Sequence, residues 1–136
     1  MTTVLFACTH NAGRSQIAAA FFKMIADPAK AQAISAGTQP AKHVHPEVRA
    51  AMREIGIDLS GVEPTLLTER LAGSVQVLVT MGCGEACPYV PGVERLEWEI
   101  PDPKGQSIER VRAIRDDVHR RVEALIAGHG WQRPSP

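Results

Sequence analysis

The stretch from Thr3 to Ala26 constrains the fold more than any other part of the chain, because the hydrophobic period changes inside it. Thr3 to Ala7 is a short, β-prone apolar run, the pattern of a strand covered on both faces. From Arg14 to Ala26 the period becomes helical, with Ile17, Ala20, Phe21 and Met24 on one side, and Asp27-Pro28 ends the run. Between the two lies the eight-residue segment Cys8-Thr9-His10-Asn11-Ala12-Gly13-Arg14-Ser15. A strand that turns directly into a helix opens a βαβ unit, so the partner strand is expected to lie parallel.

The later elements continue the alternation. Ala31 to Ser35 reads as a second strand, and Pro46 starts a helix that carries Val48, Ala51, Met52 and Ile55 until Gly56 stops it. Val75 to Met81 is the clearest buried strand. Gly82 to Gly92 holds three glycines and two prolines and reads as a loop, followed by a weaker strand near Val93 to Trp98. The last helix is expected to start from a Ser107 N-cap, with Glu109 in its first turn. Its buried stripe runs through Ile108, Val111, Ile114, Val118, Val122 and Leu125 to Gly128, and the tail Gln132 to Pro136 is expected to be disordered. With right-handed crossovers the carboxyl ends of all strands open on one edge, where ligands bind. That edge gathers Cys8, the pair Cys83 and Cys87, and Asp102.

A chain of 136 residues with 44% hydrophobic content supports one core, so a single domain over residues 1–136 is expected. Fifteen basic and fifteen acidic side chains cancel, which removes the long-range field that would draw nucleic acid or an acidic membrane surface. There is no basic leader before Val4 and no apolar run near the roughly 18 residues of a membrane span, so a soluble, cytoplasmic protein is expected. Three cysteines, an odd count, fit reduced thiols better than structural bridges, although buried cysteines can also act simply as small hydrophobes.

The loop from Cys8 to Ser15 is where these residue types point to chemistry. Successive backbone N–H groups at a strand-to-helix junction can converge on a tetrahedral oxyanion, and the helix N-terminus adds partial positive charge. Arg14 offers a planar fork for two oxygens, Asn11 tolerates a left-handed conformation, and Gly13 needs no side-chain room. The candidate oxyanion-binding residues are therefore Thr9, His10, Asn11, Ala12, Gly13 and Arg14. The same positive charge favours a nucleophilic thiolate at Cys8, to which Ser15 can donate a hydrogen bond. Asp102, between Pro101 and Pro103, is either a rigidly held proton donor or an ordinary acidic turn residue.

The segment Cys8 to Ser15, followed much later by Pro101-Asp102-Pro103, resembles the low-molecular-weight protein tyrosine phosphatase superfamily, and more closely its thiol-dependent arsenate reductases. The resemblance runs from about Thr3 to Ala127. It implies a flavodoxin-like α/β three-layer sandwich with a four-stranded parallel sheet, Cys8 as nucleophile, Arg14 as oxyanion clamp and Asp102 as general acid. The implied substrate is arsenate or a phosphate-like oxyanion.

A phosphatase needs only water after the first attack, whereas arsenate must gain two electrons through a second thiol. Cys83 and Cys87, on the loop after the third strand, fit a relay in which Cys83 attacks Cys8 and Cys87 attacks Cys83. Gly82 and Gly84 would let that loop move. The final disulfide is expected to be reduced by thioredoxin, with mycothiol or glutaredoxin as alternative partners; only Gly84-Glu85-Ala86 separates the two cysteines, a shorter interval than in many thioredoxin-coupled relatives. A structural pair and a zinc site are the other readings of Cys83 and Cys87, but Cys-x3-Cys lacks a second ligand pair. His43 and His45 are expected in a solvated turn, and His119 on an exposed helix face. No metal and no cofactor is expected, and Ala19 stands where some relatives carry an acidic potassium ligand. Lys104 follows the Asp-Pro where phosphatases place an aromatic residue, and only Tyr89 and Trp98 are near enough in sequence to replace it. An arsenite sensor would need a basic DNA-reading face, but the arginines of the last helix, Arg115 among them, alternate with acids and read as a solvated face.

Overall fold

A computed structural model of the chain describes residues 1–83 and 87–134. Four strands, β1 (Thr2–Cys8), β2 (Ala31–Gly37), β3 (Val77–Thr80) and β4 (Glu94–Glu97), and four helices, α1 (Arg14–Ile25), α2 (Pro46–Arg53), α3 (Glu69–Gly73) and α4 (Ile108–His129), follow in the order β1-α1-β2-α2-α3-β3-β4-α4. The strands pair in the order β2-β1-β3-β4, and every pairing is parallel. This is the flavodoxin-like fold. The chain leaves β1 toward β2 on one side and returns to β3 on the other, so the loops after β1 and β3 diverge and leave a crevice between them.

Alternation along β1 divides the core. Val4, Phe6 and Cys8 face the cluster under α1, α2 and α4, while Leu5 and Ala7 face a smaller cluster with Leu67, Ala72, Val75, Leu78, Cys83 and Cys87. Helix α1 is buried on more than the one stripe expected, because it lies between the sheet and α4. Ile17 and Phe21 are buried as expected, but so is Phe22, which meets Phe6 and Trp131 edge-on with centroids 5.9 Å apart in both cases. Met24, assigned to the buried side by the periodicity, is 48% exposed.

Helix α2 keeps Val48, Ala51 and Met52 inside but ends at Arg53, so Ile55 lies beyond it and is exposed. Helix α3 had no counterpart in the sequence reading. It is one short turn with Thr68 as N-cap, whose hydroxyl accepts from the Leu71 N–H at 3.0 Å. Helix α4 starts at the expected cap, with Ser107 Oγ accepting from the Arg110 N–H, and runs past Gly128 to close on Gly130 at φ 72°. The residues after α4 lie against α1. The Trp131 ring packs on Phe22, Gln132 bridges Ala26, and Arg133 donates to the Lys23 carbonyl, while residues 135–136 lie outside the described residues.

One residue read as solvated on α4 is buried. Arg115 is 8% exposed and donates to the Ala51 carbonyl at 2.8 Å and to Glu54 at 3.0 Å, which ties α4 to the end of α2. Arg112 grips the same carboxylate through two nitrogens, and hydrogen bonding first from Arg112 and then from Arg115 holds Glu54 below the usual carboxylate range. His119 stacks flat on Phe21 at 4.3 Å. Among the described residues, no helix is long and apolar enough to cross a membrane.

The burial of α1 gives a direct comparison. Phe22→Ala is expected to cost about 3–5 kcal/mol, whereas Met24→Ala should stay within about 0.5 kcal/mol. Urea unfolding of both variants checks this, and similar losses for the two would contradict the packing described.

Candidate active site

The loop after β1 is shaped by where its carbonyls go. Those of Cys8, Thr9, His10 and Ala12 accept from the N–H groups of Thr38, Gln39, Ala41 and His45, at 2.8 to 3.2 Å. The Gly13 carbonyl accepts from the Ile17 N–H, and the Asn11 carbonyl from Gln16 Nε2. With all six carbonyls bound away from the centre of the loop, the N–H groups of residues 9–14 are turned the other way. None of them donates to a protein acceptor among the described residues. A buried backbone N–H requires a partner, and a ring of them at a helix N-terminus is matched by an anion.

Asn11 makes the turn, with φ of 50°, the one positive φ at a non-glycine residue among those described. Its Oδ1 accepts from the Thr65 N–H at 2.8 Å, which fixes the orientation of the amide, so Nδ2 donates to Ser15 Oγ at 2.7 Å. Ser15 Oγ is thereby an acceptor from Asn11, and its own proton is free for Cys8 Sγ at 2.9 Å. Cys8 is the free thiol of the chain and is 2% exposed.

Three glycines allow the close approaches that assemble the site. Gly37, at the end of β2, lies so near the loop that a Cβ would fall 2.6 Å from the Thr9 carbonyl oxygen and 2.7 Å from the Asn11 nitrogen. Gly82, at φ 95°, lies directly against the Arg14 guanidinium, and a Cβ there would overlap it. Its part in the site is thus to make room for Arg14. Gly84, also expected to let the loop move, lies outside the described residues. A Cβ on Gly13 would stand 2.7 Å from Pro103 Cγ, so the Asp102 loop is seated on the anion loop through this contact.

Arg14 runs back under the crevice. Nη1 donates to the Ile100 carbonyl at 3.3 Å and Nη2 is 3.8 Å from an Asp102 carboxylate oxygen. The other Asp102 oxygen accepts from the Lys104 N–H at 3.0 Å, which orients the carboxyl. His10 and His45 stand edge-on at 6.4 Å beside this group. His45 is half-buried rather than solvated, and desolvation pulls it below the ordinary imidazole value, only partly offset by Glu47 and Asp102. His43 is exposed.

Cys83 and Cys87 are joined in a disulfide, with Cα atoms 5.6 Å apart. They lie in the smaller core cluster, and Cys83 Sγ is 4.0 Å from the carbonyl oxygen of Ala7, the residue before Cys8. The fold therefore brings Cys8, Arg14, Ser15 and Asp102 to one place, with the sulfur of Cys83 against the adjoining backbone of β1. Trp98 packs on Phe6 in the core and Tyr89 is exposed. Among the described residues, no group of three or more His, Cys, Asp or Glu side chains is arranged to hold a metal ion. Sequence reasoning did not single out Gln16, Gly37 or Thr65, whose contributions depend on contacts with segments remote from them or on one side-chain amide, and it named Pro103 only as a rigid flank of Asp102.

The Gly13 contact has a measurable consequence. Gly13→Ala should displace Pro103 and loosen the Arg14 to Asp102 approach without disturbing the core. Phosphate protection of Cys8 from iodoacetamide should then weaken by about tenfold or more, with an unchanged far-UV spectrum. Protection equal to the parent protein would show that Pro103 is free to shift.

Comparison with known proteins agrees with this geometry. The pattern of the low molecular weight phosphotyrosine protein phosphatase family matches residues 3–132. A putative arsenate reductase of Halobacterium salinarum is 38% identical over 125 residues, which is 89% of this chain and 88% of the relative. The glutaredoxin arsenate reductase of a Synechocystis species is 36% identical over 130 residues, covering 93% of this chain and 98% of the relative. Among solved structures, a Corynebacterium glutamicum thioredoxin-dependent arsenate reductase superposes with a TM-score of 0.81 at 35% identity. That match covers 94% of this chain and 61% of the other, so this chain spans less than two thirds of its length. By its matched length and by its relatives, the chain belongs to the low molecular weight phosphotyrosine protein phosphatase family.

Proposed function

We propose that the protein reduces arsenate to arsenite. The observation that carries this reading is the ring of unpaired N–H groups around Cys8, together with two further cysteines already paired on the loop after β3. The ring suits a tetrahedral oxyanion, and the pair, once reduced to two thiols, supplies the two electrons that a phosphatase does not need. The arsenate reductases among its relatives support the same substrate.

In the proposed cycle, arsenate is held by the N–H groups of residues 9–14 and by the Arg14 fork. Cys8 Sγ attacks arsenic, and Asp102 gives its proton to the departing oxygen, which leaves as water. The thiolate of Cys83 then attacks Cys8 Sγ. The new S–S bond forms as the S–As bond breaks, its electron pair stays on arsenic, and arsenite departs. Cys87 attacks Cys83 next, which frees Cys8 and leaves the Cys83–Cys87 disulfide. The disulfide found here corresponds to that last oxidised state.

An external thiol reductant must reduce the pair, and we assign this to thioredoxin, with glutaredoxin or mycothiol as the competing donors. A cycle of this kind belongs in a reducing compartment, which supports a cytoplasmic location. Arsenate-dependent NADPH oxidation with each reductant system in turn decides among the three. Turnover with mycothiol alone would transfer the resolving step to a small thiol and remove Cys83 from it.

The cycle also predicts separate traps. Cys87→Ser should release one equivalent of arsenite and stop as a Cys8–Cys83 disulfide, whereas Cys83→Ser should form the arsenate adduct and release little arsenite. Peptide mapping after a single turnover reads both, and normal cycling of Cys87→Ser with thioredoxin would exclude the terminal role of Cys87. Asp102→Asn should slow adduct formation by about a hundredfold while leaving phosphate binding nearly intact. An unchanged rate would return Asp102 to a turn residue.

A further inference from the structure

Gln16 is buried, 3% exposed, and stands on the first turn of α1 behind the anion loop. Its Nε2 donates to the Asn11 backbone carbonyl at 3.0 Å and to Asn11 Oδ1 at 3.1 Å. These two acceptors are the only means by which a side chain of α1 reaches both the backbone and the amide of the left-handed residue. We propose that Gln16 is a positioning residue for the oxyanion loop, acting on Cys8 through Asn11 and Ser15. The proposal rests on the reading of that loop as the oxyanion site.

Proton counting fixes the direction of the hydrogen bonds from Gln16 as far as Ser15. The Asn11 carbonyl can only accept, so Gln16 Nε2 must be the donor. Asn11 Oδ1 takes a second bond from the Thr65 N–H, which leaves Nδ2 to donate to Ser15 Oγ, and the Ser15 hydroxyl is within 2.9 Å of Cys8 Sγ, to which it donates when Cys8 is a thiolate. Gln16 also supplies the one carbonyl partner in the loop that no backbone N–H provides; the other five are held by backbone donors. Without it, the Asn11 carbonyl loses its reason to face away from the anion. The peptide unit between Asn11 and Ala12 is then free to rotate, and the Ala12 N–H turns out of the cradle with it.

The surroundings make the idea testable without wrecking the fold. Gln16 and Thr65 line a cavity of about 450 Å³ between α1, β2 and residues 57–65, so a replacement side chain has room to adjust. Gln16→Glu keeps the shape and removes donors. In its ionised form it sets a carboxylate against two carbonyl oxygens, and in its neutral form it regains one donor. Gln16→Met removes both donors and carries no titratable group.

The test measures phosphate protection of Cys8 from iodoacetamide and arsenate-dependent turnover, each between pH 6 and 8 or so, with thermal unfolding of every variant. For Gln16→Met we expect phosphate affinity reduced about tenfold or more at every pH. For Gln16→Glu the affinity, relative to the parent, should be lowest at high pH and recover as pH falls. That recovery is a signature that a merely space-filling role does not produce. Parent-like affinity of Gln16→Glu at pH 8 or so, or a loss that does not change with pH, would overturn the proposal, and this variant decides the matter even if Gln16→Met does not fold. If phosphate fails to protect Cys8 in the parent protein, the oxyanion-site reading fails instead, and the two failures are distinct.

Discussion

The site depends on the pairing of six carbonyls. Once the oxygens of Cys8 through Gly13 are taken by Thr38, Gln39, Ala41, His45, Gln16 and Ile17, the loop has no choice about where its N–H groups point. Most of those donors come from the segment after β2, so the parallel pairing of β1 with β2 is a precondition of the anion site. Gly37 permits the contact, since any side chain at that position would strike the loop backbone. The order β2-β1-β3-β4 then delivers the other half, because Gly82 and Ile100, which follow β3 and β4, receive the Arg14 guanidinium. The arrangement of Cys8, Arg14 and Asp102 is a property of the sheet edge as a whole.

Much of this was readable before any coordinates were considered, and the reason is local. Strand, loop and helix follow one another within β1 and α1, so hydrophobic period and residue type were enough to place Cys8, Asn11, Arg14 and Ser15 in one loop. Asn11 adopts the left-handed conformation that its short amide tolerates. The parallel sheet followed from the alternation of elements. What escaped was set by tertiary contacts. Phe22 and Met24 are two residues apart on α1, and only the presence of both the sheet and α4 decides that Phe22 is enclosed and Met24 is not. Arg115 looked solvated among alternating charges until α2 brought it the Ala51 carbonyl and Glu54.

Asp102 illustrates the boundary between the two cases. The sequence identified it as a carboxyl between prolines, a description that many turns satisfy. Its distinction comes from Pro103, which is buried against Gly13, and from Arg14, which approaches the carboxylate at 3.8 Å. A side chain that ends a loop becomes part of a site when both its backbone and its charge are tied to the same partner element. Here that element is the N-terminus of α1.

The depth of the Cys83–Cys87 pair has a kinetic meaning. Both residues are sequestered, 8% and 4% exposed, in a pocket walled by Leu5, Ala7, Leu78 and Val75. Disulfide exchange proceeds by in-line attack along the S–S axis, which an incoming thiolate cannot reach while apolar side chains cover it. In the proposed cycle, regeneration therefore begins with exposure of Cys83 and Cys87, and the frequency of that exposure sets a ceiling on the rate of recycling that no excess of reductant can lift. On that reading the oxidised pair is a stored form, insulated by its burial from casual thiols.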